Sequence, residues 1–213
     1  MQLYNFFFSS TSYRTRIAMA LKGLDYDYHS VNLREGEQSG ADFIKLNPGK
    51  GVPVLIEEDG TKITQSLAIL LYLDEKYPEP QLLPTDLLAR TRVLELCSVI
   101  ATDMHPVNNL RILKYLQKDL GLSEEQKNTW YAHWIAEGMS TVETLLADAN
   151  SDQYCFTDQV TMADVFLIPQ VANAMRMSCD LAPYPRAMAI YEHCTGLPAF
   201  IKAAPLNQPV VLK

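Results

Sequence analysis

The chain has 213 residues, 48% of them hydrophobic and 20% charged, with a formal net charge of -7. This length allows one large domain or two small ones around a real core. The acidic balance excludes a general nucleic-acid binder, which needs a basic footprint, but leaves room for a local basic pocket.

Gln2 to Phe8 is short, aromatic and apolar and reads as a buried strand. From Ser12 the pattern changes. Ile17, Ala20 and Leu21 fall at helical spacing, Arg14, Arg16 and Lys22 take polar positions, and Gly23 closes the helix. Tyr26, Tyr28 and Val31 alternate with polar residues as a second strand, and a strand–helix–strand unit this short predicts a parallel pair. Ala41 to Leu46 is a short helix ended by Asn47-Pro48-Gly49. Val52 to Glu57 and Lys62 to Thr64 form a hairpin about Asp59-Gly60, and Ser66 to about Tyr77 is a strongly apolar helix.

Pro78, Pro80 and Pro84 mark residues 79–86 as a linker. Beyond it no strand pattern is found. Leu87 to Leu116 and Glu124 to Leu146 have helical periodicity and length. Thr161-Met162-Ala163-Asp164 opens another helix as a variant capping box, and Asp164 is assigned to folding. Pro183 to Cys194 is a further helix. The expected organisation is an α/β domain over 1–78 and an all-helical domain over 87–213. No apolar run reaches membrane-spanning length, and the start MQLYNFFF lacks the basic region and cleavage site of a signal peptide, so a cytoplasmic location with no membrane partner is expected. Cys97, Cys155, Cys179 and Cys194 are scattered, as are His29, His105, His133 and His193; free thiols and no metal centre are expected.

Four places carry candidate chemistry. Ser9 and Ser10 lie between a strand and a helix N-terminus, where open N–H groups and the helix dipole favour an anion such as a thiolate; N-capping by Ser9, Ser10 or Ser12 is the plain alternative. Ser66, with Gln65 before it, opens a helix and can cap it or bind a carboxylate there. Pro106 interrupts the helix carrying His105, Asn109 and Arg111. Arg176, in an apolar helix, needs a partner: a substrate carboxylate, or Asp180.

The element order, with SSTSYRTRIAMALKG at 9–23, LNPGKGVPVL at 46–55, TQSLAI at 64–69, and HPVNNLRIL and PQVANAMR at 105–113 and 169–176, resembles the glutathione transferase superfamily over nearly the whole chain. Together these motifs are similar to the zeta class, which includes maleylacetoacetate and maleylpyruvate isomerases. The resemblance implies a thioredoxin-like N-terminal domain, an all-α C-terminal domain, glutathione as cofactor and a homodimer. It implies that Ser9 leads in holding the thiol, with Ser10 and Thr11 beside it. Val52, before a cis-proline, would pair with the cysteinyl backbone, and Gln65 and Ser66 with the γ-glutamyl end; Lys50, just before Val52, is a candidate for the glycyl carboxylate or equally a solvated loop lysine. His105 and Asn109, with Arg111 nearby, would help hold glutathione. The implied reaction is a cis-to-trans isomerisation in which a thiolate adds to an activated double bond, the bond rotates and elimination restores it, with no glutathione consumed. The same thiolate would also serve a transferase or dehalogenase acting on α-haloacids, and a non-catalytic scaffold is a third reading. The chain departs from the class at Phe8, where an arginine is usual, and at Thr11, where cysteine is frequent. Arg14, Arg111 and Arg176 are the candidates to replace the missing charge.

Overall fold

The computed structural model describes residues 1–147, 149 and 152–209. They form two compact units, Met1–Gln81 with Gly196–Lys213, and Leu82–Thr195. Among the described residues no helix is long and apolar enough to cross a membrane.

The first unit is built on β1 (Gln2–Asn5), α1 (Ser10–Leu21), β2 (Asp27–Ser30), α2 (Ala41–Leu46), β3 (Val54–Ile56), β4 (Lys62–Thr64) and α3 (Ser66–Lys76). The sheet order is β2-β1-β3-β4, with β1 and β2 parallel and the other pairs antiparallel. Leu3, Met19, Leu55, Ile69 and Leu73, all at 0% exposure, join the sheet to α1 and α3. Each contributes roughly 1.5–3 kcal/mol by burial. β1 stops at Asn5 rather than Phe8 because the next backbone groups turn away: Phe6 N–H donates to Ser12 Oγ at 3.3 Å, and Ser9 N–H donates to Phe6 O at 3.0 Å. β3 starts at Val54, after Pro53, which has no N–H to give a neighbouring strand.

Helix α1 departs from its expected amphipathic form. Arg14 and Arg16, read as polar-face residues, are each only 1% exposed. Arg16 Nε donates to Ala203 O at 3.0 Å, Nη1 to Asn5 Oδ1 at 3.0 Å and Phe6 O at 3.4 Å, and Nη2 to Phe7 O at 3.0 Å. Burial lowers its pKa to about 10, so it stays charged at neutral pH. Ala203 ends α9 (Pro198–Ala203), and Tyr13 Oη also donates to Phe200 O at 3.3 Å. These bonds place α9 with the first unit, whereas the helical domain was expected to run from 87 to 213. The C-terminus of α1 is closed by Gly23 at φ +65°, with Leu24 N–H on Met19 O at 2.9 Å and Gly23 N–H on Ala20 O at 3.2 Å.

The second unit contains α4 (Leu87–Ser98), α5 (Leu110–Lys118), α6 (Glu124–Leu146), α7 (Met162–Arg176) and α8 (Pro185–Thr195). The helix expected over Leu87 to Leu116 is broken. After Ser98 a π-helical segment, Val99–Met104, leads to a 3-10 turn at Pro106–Asn108, and Asn109 caps α5. The π segment packs against α6 at Gly138, where an added Cβ would lie 2.9 Å from Met104 Cγ. Asp164 is fully buried and accepts from Thr161 N–H, Thr161 Oγ1 and Cys155 N–H at 2.7, 2.9 and 2.9 Å. Burial pushes its carboxyl up, and these donors pull it back only in part.

Candidate active site

Register alone brings three loops to one edge of the sheet. Tyr4 pairs with Val54, and Val54 with Thr64. Just past that row lie Phe6–Ser9, Val52–Pro53 and Gln65–Ser66, each leading into or out of a strand. Ser9 is the N-cap of α1, accepting from Ser12 N–H at 3.2 Å, and Ser10, buried, is the first helical residue. Val52–Pro53 is a cis peptide. Thr11 Oγ1 donates to Val52 O at 2.8 Å and lies 2.8 Å from Ser9 Oγ.

Proton counting settles the direction of these bonds. Thr11 has one hydroxyl proton, and Val52 O can only accept. That proton therefore goes to Val52, and Ser9 Oγ–H donates to Thr11 Oγ1. Ser9 holds the proton that can swing to an arriving anion, at a helix N-terminus whose dipole favours negative charge. Val52 N–H has no hydrogen-bond partner among the described residues.

The remaining groups of this edge fit an elongated anionic ligand. Arg14 Nη1 donates to Ser66 Oγ at 3.4 Å, tying α1 to the start of α3. Gln65 has φ +68° and ψ 118°, an unusual conformation for a side-chain-bearing residue and of the kind that clusters at ligand clamps. Lys50 is exposed at φ +52° in a loop stapled by Asn47, whose Nδ2 donates to Gly51 O at 2.7 Å and whose Oδ1 accepts from Gly49 N–H at 2.9 Å.

In the second unit, Asn109 Nδ2 and His105 Nε2 are 3.3 Å apart, and Asn109 Oδ1 accepts from Arg111 N–H at 3.2 Å. Arg111 is exposed. Arg176 is the last residue of α7 and exposed; its guanidinium donates to Asn173 Oδ1. Asn173 Nδ2 in turn donates to Tyr131 Oη at 3.0 Å. Asp180 accepts from Ala182 N–H at 3.0 Å.

Residues 1–75 match the model of the glutathione S-transferase N-terminal domain. A probable maleylacetoacetate isomerase of Vibrio cholerae is 46% identical over 209 residues, 97% of this chain and 96% of the relative. A holo structure of maleyl pyruvate isomerase, described as a bacterial glutathione transferase in the zeta class, superposes with a TM-score of 0.95 at 45% identity, over 98% of this chain and 99% of that one. The chain belongs to the zeta class of glutathione transferases. A maleylacetoacetate isomerase of Methylobacterium extorquens AM1, solved with malonate and glutathione bound, gives a TM-score of 0.94 at 35% identity, over 98% of each chain.

For a zeta-class chain, the structure gathers Ser9, Ser10, Thr11, Val52 and Ser66 at one sheet edge, with Gln65 and Lys50 in its loops. It pairs His105 with Asn109 and leaves Arg111 and Arg176 on exposed helix positions. Arg14, a candidate to restore the charge missing at Phe8, is buried against Ser66. Sequence reasoning missed Arg16, which holds the Phe6 and Phe7 carbonyls just before Ser9, and Asn5, whose Oδ1 accepts from the same guanidinium. Their signal was two arginines in a helix otherwise short of charge.

Proposed function

We propose that this chain is a glutathione-dependent isomerase converting maleylacetoacetate to fumarylacetoacetate. The observation that carries the reading is the Ser9–Thr11–Val52 chain of hydrogen bonds at the start of α1. When bound, glutathione supplies a thiolate that adds to and then leaves the activated double bond, which rotates while it is single.

The chain's own residues do the rest. Ser9 Oγ–H donates a hydrogen bond to the sulfur, which with the α1 dipole favours thiolate over thiol. Val52 N–H and C=O pair with an extended backbone in the manner of an added strand. Ser66 and Gln65 receive the γ-glutamyl end at the start of α3, and Lys50 the glycyl carboxylate. The family resemblance assigns His105 and Asn109 to glutathione, with Arg111 nearby, and the guanidinium of Arg176 is the candidate fork for a substrate carboxylate. In this reading the first unit supplies most of the glutathione contacts, the helical unit over Leu82–Thr195 completes the site, and the protein is a cytoplasmic homodimer. A diacid substrate is supported by the Methylobacterium relative, solved with malonate and glutathione bound. Maleylpyruvate is the second reading, favoured by the TM-score of 0.95 to a maleyl pyruvate isomerase.

The test is turnover of maleylacetoacetate, maleylpyruvate and dichloroacetate by the purified protein, with and without glutathione. The reading expects trans product, dependence on glutathione and no loss of it. Halide release with loss of glutathione, and no isomerisation, would make the protein a dehalogenase instead.

A further inference from the structure

Arg14 and Arg16, two of the three arginines in Met1–Gln81, are buried: Arg16 gives all three guanidinium nitrogens to internal acceptors, and Arg14 is turned inward, its Nη1 donating to Ser66 Oγ at 3.4 Å. The third, Arg34, is exposed. Its guanidinium carbon lies 5.4 Å from the Phe8 ring centroid and 6.0 Å from that of Phe7, within cation–π range. Phe8 immediately precedes Ser9.

The ring platform is itself anchored. Phe7 and Phe8 have centroids 4.2 Å apart, Phe7 packs edge-on to Phe6 at 4.7 Å, and the Phe7 carbonyl is held by Arg16 at 3.0 Å. The loop presenting Arg34 is equally fixed. Asn32 Oδ1 accepts from Arg34 N–H at 3.1 Å and Glu35 N–H at 3.4 Å. The Glu37 carboxylate, an acid of the same loop, accepts from Asn32 N–H at 2.7 Å. Among the described residues the N–H donors of the Arg34 guanidinium meet no acceptor and no acid. A guanidinium lying over an aromatic ring keeps its N–H edge for a carboxylate fork, with its rotamer already restricted before the ligand arrives. On a chain of net charge -7, a diacid gains from such a local cation.

We propose that Arg34, held by Phe7 and Phe8 at the approach to Ser9, is a specificity-determining residue that forks onto a carboxylate of the substrate. The diacid nature of that substrate rests on the isomerase reading above.

The test uses the glutathione-loaded protein titrated with maleate, as wild type, Arg34→Gln and Arg34→Lys. Losing a charged bidentate contact raises the maleate Kd about 10- to 100-fold in Arg34→Gln, with Arg34→Lys between the two. The glutathione Kd and the turnover of 1-chloro-2,4-dinitrobenzene, an uncharged electrophile, stay within about twofold. An unchanged maleate Kd overturns the proposal, as does an equal loss of glutathione affinity, which would make Arg34 part of the glutathione site. If the wild type isomerises no diacid but Arg34→Gln still weakens maleate, the anion anchor stands and the isomerase reading falls. If diacid turnover is strong and Arg34→Gln leaves its KM unchanged, the reading stands and this proposal falls.

Discussion

Replacing Arg16 by methionine keeps an unbranched apolar side chain in α1 but removes every donor of the guanidinium. Asn5 Oδ1, Phe7 O and Ala203 O, each 3.0 Å from it, lose a partner, as does Phe6 O at 3.4 Å. The site is 1% exposed, so water replaces these bonds poorly. Each orphaned buried oxygen costs about 1–3 kcal/mol. Methionine recovers part of that because no buried charge remains to be desolvated, which leaves a net loss of about 3–5 kcal/mol. For a chain of this size unfolding in one transition, about 2–4 °C per kcal/mol predicts a Tm drop of about 6–20 °C. Arg16→Lys, with its charge but no fork, should lose less. Thermal melts followed by far-UV circular dichroism measure both. A drop under about 2 °C for Arg16→Met would refute the claim that this arginine ties α1 to β1 and α9.

Lys22→Met should also be strongly destabilising, by about 3–5 kcal/mol, because the fully buried ammonium donates to Asp74 at 2.8 Å, Tyr77 O at 2.6 Å and Pro80 O at 2.9 Å. Adding Asp74→Asn should recover part of that loss in urea unfolding, and strict additivity would count against a buried pair. Gly138→Ala should cost about 1–2 kcal/mol in urea unfolding, since its Cβ would lie 2.9 Å from Met104 Cγ and 3.1 Å from Met104 Cβ, outweighing the gain in helix propensity. In a Met104→Ala background the same change should become neutral or stabilising, and an unchanged cost would remove Met104 from the explanation.

Much of the fold was legible because its signals are local. The parallel β1–β2 pair, the hairpin about Asp59-Gly60, and the bounds of α2 and α6 follow from alternation, turn residues and capping. What was not legible depends on partners distant in sequence. Arg14 and Arg16 look like polar-face residues until Ser66, Asn5 and Ala203 are brought to them. The π segment at Val99–Met104 has no local signature, and its contact with Gly138 comes from α6. At the site, Ser9 and Val52 were readable as positions, but the 2.8 Å bond from Thr11 to Val52 O, which decides which hydroxyl proton is available, spans 41 residues. Phe8 pointed to a charge missing from the sequence pattern; the structure puts Arg34 over that ring, from a loop that carried no motif.

The central claim is that Ser9, and not Thr11, supplies the proton that stabilises the thiolate. The most direct measurement is the pH titration of bound glutathione by thiolate absorbance near 240 nm, in wild type, Ser9→Ala and Thr11→Val. A charge-assisted hydrogen bond of about 1.5–3 kcal/mol corresponds to about 1–2 pKa units. Ser9→Ala should raise the thiol pKa by that amount, while Thr11→Val should weaken glutathione binding through Val52 with little change in the thiol pKa. A larger shift in Thr11→Val than in Ser9→Ala would contradict the account.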